Sequence, residues 1–348
     1  MKFEYIGVIH VHSEFSDGTG KVDEIAQIAD EVGLDYLILT DHNTLRALRE
    51  GYEKWYGNSL LLVGVEINDK ENKNHYLAMG VNEAFSTRMS AEEYVRKVKE
   101  KGGIGFIAHP HEKRNRMPEH PPFPWTAWNA EDFTGIEIWN HMSEWMEGLT
   151  EENKYQRVVH PLRSIVAPPR ETLAKWDEIA EKRHITGIGG VDAHAHKVNV
   201  LGFFEVEIFP YKVLFQSIRT HVLLDEPLRK SRSAREIEKA KKAIYKALEK
   251  GSCFVSNFYH GDAKGFKFFA ETENGTFEQG ETVRLNGKIK LNIVLPAEAE
   301  IRLIKNGKQI YSVKDFSAEI EIDERGVYRA EVFKGKFGWI FSNHIRIE

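Results

Sequence analysis

The chain has 348 residues, 41% of them hydrophobic and 29% charged, and a net charge of −5. This length predicts one large domain and one small one. The negative charge gives no basic field for holding a long nucleic acid, and the single cysteine, Cys253, excludes an intrachain disulfide or a thiolate metal site. We find no secretory signal and no apolar run long enough to cross a membrane, so we expect a cytoplasmic protein.

Residues 1–262 alternate short apolar runs with helical patterns, which predicts an α/β fold with a parallel sheet or barrel of about seven βα units. The predicted strands are Ile6–Val11, Tyr36–Thr40, Leu60–Val65, Tyr76–Val81, Ile104–Ala108, Ile136–Trp139 and Ile185–Val191. Helices are predicted at Val22–Val32 and Ala91–Lys101, and a third begins at Ser233. Capping boxes pair Ser90 with Glu93 and Ser233 with Glu236 at two helix starts.

Residues 263–348 lose the helical period and show short runs in which apolar and polar residues alternate. Asn306-Gly307 lies between two such runs, and this dipeptide favours a tight hairpin turn. This segment is predicted to form a small antiparallel β-sandwich domain.

Histidines and acidic residues follow the predicted strands. His10 and His12 alternate along one strand, so both imidazoles point to the same side. Six more candidates lie at or just after a strand end: Asp17, His42, Glu66, His109, Asp192 and His194. His75 is the exception, because it precedes its strand. Active sites of parallel sheets and barrels form at the carboxyl ends of their strands, so the sequence predicts a shared metal site there.

These motifs resemble the polymerase and histidinol phosphatase (PHP) family of metal-dependent phosphoesterases. The matching segments, in the family's order, are His10-Val11-His12, Ser16-Asp17-Gly18-Thr19, Leu39-Thr40-Asp41-His42-Asn43, Gly64-Val65-Glu66-Ile67, His75-Tyr76-Leu77, Ala108-His109-Pro110 and Val191-Asp192-Ala193-His194. The resemblance implies a distorted, TIM-like (β/α)7 barrel with two or three metal ions at its mouth. It also extends to a small C-terminal β domain, although Gly338 and His344 depart from the expected ending.

The resemblance implies a ligand set for three ions. The first would be held by His10, His12, Glu66 and Asp192. Glu66 would bridge to a second ion, completed by His75 and His109. Asp17, His42 and His194 would hold the third, and Asp192 and His194 would also count as catalytic residues.

The donor types indicate the metal and the substrate. Imidazole and carboxylate ligands without thiolate favour manganese, iron or zinc ions. Three divalent ions among six neutral imidazoles and three carboxylates would keep a net charge of about +3, which favours an anionic substrate. We therefore predict hydrolysis of a phosphate mono- or diester of a small metabolite or short nucleotide, with a metal-activated hydroxide as the nucleophile.

Four further residues have less specific signals. His111 and His196 each lie two positions beyond a predicted ligand and are candidate proton donors to the leaving group. Arg114 and Arg116 are candidate phosphate-binding residues on a long loop rich in proline and aromatic residues. Ordinary surface histidines and a solvated loop are the structural alternatives.

Three other functions remain open from the sequence. One is a 3′–5′ exonuclease-like phosphodiesterase, which the acidic balance disfavours for long DNA. Another is hydrolysis of carbon–nitrogen bonds on a similar barrel. The third is a non-catalytic binding module that keeps its metals for stability. The predicted partner is a small phosphorylated substrate, with no long nucleic acid and no membrane.

Overall fold

The computed structural model describes residues 2–114, 121–200 and 204–348. Its N-terminal part contains the strands β1 (Phe3–Ile9), β2 (Tyr36–Leu39), β3 (Lys54–Tyr56), β4 (Ser59–Ile67), β5 (Tyr76–Met79), β6 (Ile104–Ile107), β7 (Gly135–Asn140), β8 (Thr186–Gly190), β9 (His196–Val200), β10 (Phe204–Ile208), β11 (Ile218–Leu224) and β12 (Cys253–Asn257). The seven predicted strands are thus present, with their ends shifted by up to about three residues.

The helices lie between these strands. They are α1 (Val22–Glu31), α2 (Arg46–Arg49), α3 (Ala91–Glu100), α4 (His141–Glu147), α5 (Lys154–Val159), α6 (Arg170–Lys182), α7 (Tyr211–Leu214) and α8 (Ala234–Glu249), with short 3₁₀ turns at Leu162–Ser164 and Phe258–His260. The capping box at Ser90 and Glu93 is confirmed. The one predicted at Ser233 is wrong, because the Ser233 side chain makes no capping hydrogen bond and only its backbone carbonyl accepts from the first turn.

The N-terminal sheet is mixed, not entirely parallel as the βα pattern predicted. Strands β1, β2 and β4 run parallel, as do β6, β7 and β8, but β5 is antiparallel to both β4 and β6. The cause is the connection at residues 68–75, since a parallel crossover needs about a dozen residues or more. β11 and β12, which the sequence patterns did not reveal, add antiparallel pairing beside β1.

Hydrogen bonds also join the first and last strands of this series. The amide of Val191 donates to the carbonyl of Ile9 at 3.1 Å, and the amide of His12 donates to the carbonyl of Ala193 at 2.9 Å. The carboxyl ends of β1 and β8 therefore lie side by side. This brings the segments that carry His10 and Asp192 into contact.

The C-terminal part is a β domain. Its strands are β13 (Lys267–Thr272), β14 (Gly275–Glu278), β15 (Thr282–Val283), β16 (Ile289–Lys305), β17 (Lys308–Ile322), β18 (Gly326–Lys334), β19 (Phe337–Ser342) and β20 (Ile345–Ile347). The long strand β16 changes register after Val294, pairing with β13 before that point and with β18 after it. Apolar side chains from these strands enclose a separate core.

The predicted Asn306-Gly307 turn is confirmed, since both residues have positive φ, 47° and 73°, as a tight hairpin requires. The two parts of the chain share a sheet, because β19 pairs with β12. Within the described ranges, no helix combines the length and apolar character needed to span a bilayer.

Candidate metal centre

Nine side chains gather at one edge of the N-terminal sheet. Their ligand atoms fall into overlapping groups within 4.8 Å, and together these groups contain every predicted ligand: His10, His12, Asp17, His42, Glu66, His75, His109, Asp192 and His194. His75 joins them because β5 runs opposite to its neighbours, so the start of β5 lies at the edge where the parallel strands end. The reversed strand thus explains the one candidate that broke the sequence pattern.

Four of these residues form a tight set of ligand atoms. The Nε2 atom of His10 lies 3.0 Å from Oε2 of Glu66 and 3.3 Å from Oδ1 of Asp192. The Nε2 atom of His12 lies 3.1 Å and 3.4 Å from the same two oxygens. A tetrahedral ion with bonds of about 2.0 Å has its ligands about 3.3 Å apart. The four spacings between imidazole nitrogens and carboxylate oxygens are therefore close to the value expected around one such ion.

Glu66 offers its second oxygen to another pair of ligands. Its Oε1 atom lies 2.7 Å from Nδ1 of His75 and 3.5 Å from Nε2 of His109. One carboxylate thus faces two groups of imidazoles, as a bridging ligand would.

A third group surrounds Asp17 at the open side. The Oδ1 atom of Asp17 lies 3.3 Å from Nε2 of His194, and Oδ2 lies 3.6 Å from Nε2 of His42. His12 also reaches this group through Nδ1, 3.7 Å from Oδ1 of Asp17. The ring of His12 therefore lies between the first and third groups.

Several buried imidazole nitrogens of this cluster make no hydrogen bond to any described residue. They are both ring nitrogens of His12, Nδ1 of His42, Nε2 of His75 and Nδ1 of His109. A buried polar atom without a partner costs free energy, about 1 to 3 kcal/mol each. Metal coordination would satisfy such atoms, so the residues present fit divalent ions.

The carboxylates create a field that favours positive charge. Burial alone would lower the pKa of His12, but Asp192 and Glu66 outweigh it and raise this pKa to about 9. For His109, Glu112 and Glu66 overcome burial in the same way, and the pKa is again about 9. His42 differs, because burial lowers its pKa to about 4. A site that binds protons this strongly also favours metal cations, which compete for the same nitrogens.

Part of the chain matches a known protein family. Residues 9–107 match the PHP domain family. This part of the chain is therefore similar to the PHP domain. The matched segment carries six of the nine candidate ligands, and His109, Asp192 and His194 follow it in the chain.

One curated relative and two solved structures are similar to this chain. An uncharacterized protein of Methanocaldococcus jannaschii is 32% identical over 117 residues, which cover 30% of this chain and 66% of the relative. A two-domain protein of Bacteroides vulgatus containing a predicted PHP-like metal-dependent phosphoesterase has a TM-score of 0.46 and 15% identity, covering 99% of this chain and 95% of that one. An amidohydrolase of Chromobacterium violaceum with bound sulfate and no metal has a TM-score of 0.33 and 15% identity, covering 54% and 87%.

The N-terminal part of the chain also contains a buried carboxylate that the sequence patterns did not single out. Oε1 of Glu137, in β7, accepts a hydrogen bond from Nδ1 of His10 at 2.8 Å. Its Oε2 accepts from the backbone amide of His109 at 2.8 Å and from Asn140 at 3.0 Å. Glu137 thus fixes the tautomer of His10 that presents Nε2 to the ion site. The available signal was a lone charge between Ile136 and Ile138 in a strand predicted to be buried.

Three of the candidate ligands have left-handed backbone conformations. His10, His109 and Asp192 have φ angles of 67°, 27° and 56°, and their ligand atoms form one of the close groups. Non-glycine residues in this region cost about 1 to 3 kcal/mol each, and such strain concentrates at functional sites. The fold therefore holds these side chains in place at a cost in stability.

Asp41, which precedes His42, organises the loop before Asp17. Its Oδ1 accepts from the backbone amide of Ser13 at 2.7 Å and from the Ser16 hydroxyl at 2.8 Å. Its Oδ2 accepts from the Ser13 hydroxyl at 2.7 Å. Asp41 therefore supports the loop that carries the ligand Asp17.

The two candidate proton donors lie in different places. His196 is exposed beside the metal ligands, with its ring stacked on that of His194 at a centroid distance of 4.8 Å, and it lines the adjoining cavity. His111 instead hydrogen-bonds to the Thr172 hydroxyl at 3.0 Å and stacks on Trp128. It is not among the cavity's lining residues, so the geometry favours His196 for this role.

Arg114 borders the same cavity, whereas Arg116 lies outside the described residues. The guanidinium of Arg114 donates to the buried carboxylate of Glu112 at 2.6 Å and lies 5.4 Å from the ring centroid of Phe123. Phe123 in turn stacks on the ring of His75 at 5.0 Å. This chain of contacts holds a cation near the second group of ligands.

Proposed function

We propose that this protein is a metal-dependent phosphoesterase that hydrolyses a phosphate ester of a small molecule. The observation that carries the proposal is the set of four ligand atoms from His10, His12, Glu66 and Asp192. The four spacings between their imidazole nitrogens and carboxylate oxygens, 3.0 to 3.4 Å, are close to those expected of ligands to one ion. The PHP domain match at residues 9–107 supports the same conclusion.

The charge of the site supports an anionic substrate. Three divalent ions together with the nine candidate ligands would have a net charge of about +3. The buried carboxylate of Glu137 would lower this net charge to about +2. A phosphate monoester dianion would neutralise that charge. When bound, such ions polarise phosphoryl oxygens and lower the pKa of water toward 7.

The chain's own residues would position the substrate and move a proton. Arg114 is placed on the cavity wall to donate hydrogen bonds to phosphate oxygens. His196 is our candidate for protonating the leaving oxygen, since it lies on the same wall next to His194. Glu137 would keep His10 oriented through the reaction.

The strand pairing supports the barrel that the family resemblance implies. Hydrogen bonds between the β1 and β8 ends, at Ile9 and Val191 and at His12 and Ala193, connect the first and last members of the series. We propose that β1, β2 and β4 to β8 close into a distorted barrel, with residues 1–262 as the catalytic domain and residues 263–348 as an accessory domain.

A serine-based mechanism is the alternative that the side chains outside the cluster suggest. Nε2 of His221 lies 2.8 Å from the Ser256 hydroxyl, and Nδ1 lies 2.7 Å from Oε1 of Glu4. This is the order of contacts in a catalytic triad. Ser256 is only 1% exposed, so a substrate cannot reach its hydroxyl, and we interpret the three residues as a structural hydrogen-bond network.

The test is hydrolysis of p-nitrophenyl phosphate and bis(p-nitrophenyl) phosphate with Mn²⁺, after metal removal and reloading. We expect activity only in the loaded protein. Asp192→Ala and His194→Ala should each reduce kcat/KM by more than about 100-fold, since even outer partners of metal ligands contribute roughly 10- to 100-fold. The ratio of the two substrates distinguishes a monoesterase from a diesterase.

The matched controls are Asp225→Ala and His160→Ala, which change an exposed residue of each type outside the cluster. Their kcat/KM should stay within about twofold of the parent value, as for surface substitutions generally. Hydrolysis that persists in Asp192→Ala and His194→Ala would contradict the proposal.

A further inference from the structure

The cavity beside the metal ligands has two chemically different sides. Its volume is about 1340 Å³, and seven of the candidate ligands, including Glu66, His75 and His194, lie on one side. The other side is formed by α4, α5 and the β9–β10 hairpin. We call it the apolar wall, and its main residues are Met142, Trp145, Met146, Val158, Val198 and Val206.

The apolar wall continues to the protein surface. Val159 is 69% exposed and Val198 is 42% exposed, and both line the cavity. Contiguous exposed apolar surface next to a polar site is typical of a place where a ligand binds. We therefore expect a ligand that covers the apolar wall and also reaches the candidate metal ligands.

Few polar groups on this side are available to a sugar or another polyhydroxyl group. Lys154 is paired with Glu151 at 2.7 Å, and Lys197 is paired with Glu205 at 3.0 Å. Among the described residues, and apart from His196 next to the candidate ligands, Asn199 and the hydroxyl of Tyr155 are the other polar side-chain groups that α5, β9 and β10 bring to the cavity. Each substrate hydroxyl buried there without a partner would weaken binding by about 1 to 3 kcal/mol.

We propose that the substrate is a phosphate ester of an apolar alcohol, an alkyl or aryl group that packs against the apolar wall while its phosphate faces the metal ligands. This inference rests on the proposed phosphoesterase function and specifies its substrate class. Methionines at positions 142 and 146 suit this role, because their flexible thioethers adapt to different apolar shapes.

A second protein is the competing occupant of this wall. The cavity lining is continuous from Val158 and Val198 to His75 and His194, so a protein covering the wall would also close the approach to the metal ligands. A small amphiphilic ester can occupy both sides at once. The continuity of the lining therefore favours a substrate group over a docked chain.

The first experiment measures binding, not turnover, with methyl-, butyl- and hexylphosphonate, whose carbon–phosphorus bonds are not hydrolysed. Titration calorimetry on the Mn²⁺-loaded protein should show affinity rising roughly three- to fourfold per added methylene. The heat capacity of binding should become more negative with chain length, because apolar area is buried.

Two variants locate the effect. Val158→Ser and Val198→Ser should each reduce the affinity for hexylphosphonate by roughly three- to tenfold and leave methylphosphonate unchanged. Ile310→Ser is the matched control, since Ile310 is an exposed aliphatic residue of the β domain, 49% exposed. Its affinities should equal those of the parent, and thermal unfolding should confirm that all three variants fold.

The outcomes separate this inference from the proposed function. Equal affinities for methyl- and hexylphosphonate, or no binding of either, would overturn the apolar substrate class even if nitrophenyl esters are hydrolysed. A rise in affinity with chain length, without hydrolysis of any ester, would support the wall and reject the phosphoesterase. If Val158→Ser and Val198→Ser instead dissociate an oligomer in sedimentation, the wall is a contact between copies and the inference is wrong.

Discussion

At the residue scale, the candidate metal site depends on a carboxylate that is not itself a candidate ligand. Glu137 is fully enclosed, and its two oxygens bond the imidazole of His10 and the backbone of His109. A histidine ligand binds a cation best when its other nitrogen donates to a carboxylate, which orients the ring and increases its basicity. The orientation of His10 is therefore set by Glu137, which lies outside the group of candidate ligands.

This arrangement predicts the effect of Glu137→Gln. The amide nitrogen of glutamine cannot accept a hydrogen bond. The variant therefore loses one of the hydrogen bonds to His10 or His109, while the side chain keeps its size. We expect the affinity for Mn²⁺ or Zn²⁺ to fall by roughly 10- to 100-fold, as for other such partners of metal ligands. Competition titration against a fluorescent chelator measures this change.

Glu144→Gln is the matched control for that variant. Glu144 is a half-buried carboxylate, but it accepts from the indole of Trp139 at 2.7 Å and from the backbone amide of Val166 at 2.6 Å. Its replacement should affect stability and leave metal affinity unchanged. Equal metal affinities in Glu137→Gln and the parent would show that Glu137 has no influence on the site.

At the scale of single elements, α4 combines the apolar wall with a buried histidine. His141 opens this helix, is fully buried, and neither of its ring nitrogens has a hydrogen-bond partner among the described residues. Burial, together with the charge of Arg157, lowers the pKa of His141 to about 3. The folded protein therefore keeps this imidazole neutral at pH values where the unfolded chain is protonated.

His141 should make α4 sensitive to acid. Below the unfolded-state pKa of about 6.5 the unfolded chain binds one proton more than the folded chain, so the free energy of unfolding falls as the pH falls, by up to about 1.4 kcal/mol per unit. Above that pKa the contribution of His141 does not change with pH. His141→Leu should flatten the decline between pH 6.5 and 5, as measured by urea unfolding with saturating metal.

We compare how steeply the free energy of unfolding changes with pH in His141→Leu and in the parent. The candidate metal ligands titrate in both proteins, so the difference between the two slopes comes from His141. His160→Leu, a change at an exposed position, should keep the parent slope. The same slope in His141→Leu as in the parent would show that His141 is protonated without cost in the folded state.

The elements also show which parts of the site were predictable from the sequence. Residues such as His10, His12 and Asp192 follow strands with a clear period, and strand ends of parallel neighbours share an edge. The position of His75 was not predictable in this way, because it depends on the direction of β5, which is set by the short connection at residues 68–75. The role of Glu137 was not predicted, because it depends on the side chain of His10 and the backbone amide of His109, which are distant from it in sequence.

At the scale of the whole molecule, a buried ion cluster joins the two parts of the chain. Arg329, in β18, donates to both oxygens of Asp177, in α6, at 2.7 and 2.8 Å. It also donates to Glu331 at 2.6 Å, and Nε2 of His344 lies 2.8 Å from Oδ1 of Asp177. His344, which stands where the family resemblance led us to expect proline, thus contacts the N-terminal part.

Asn343 extends this junction to the sheet itself. Its amide nitrogen donates to the carbonyls of Gly187 in β8 and Cys253 in β12, at 2.9 and 2.8 Å, and its oxygen accepts from the amide of Gly187 at 2.7 Å. Trp339 is fully buried and donates to the carbonyl of Gly261 at 2.8 Å. The segment from Trp339 to His344 therefore has a structural role at the junction.

The ion cluster predicts a large penalty for removing one partner. Asp177→Ala leaves the buried guanidinium of Arg329 with Glu331 as its remaining carboxylate, and we expect the free energy of unfolding to fall by about 3 to 5 kcal/mol. Burial alone would raise the pKa of Asp177, but Arg329 and His344 outweigh it and lower the pKa, so this contribution is present above about pH 4 and decreases in acid.

A double-mutant cycle separates the interaction from simple loss of packing. Arg329→Met removes the cation, and the combination Asp177→Ala with Arg329→Met should be less destabilised than the sum of the single variants by at least about 1 kcal/mol, because neither charge is then left unpaired. Lys314→Met with Glu298→Ala, an exposed pair 3.3 Å apart, is the control and should show coupling below about 1 kcal/mol. Additive effects at Asp177 and Arg329 would mean that the junction is held by its apolar contacts alone.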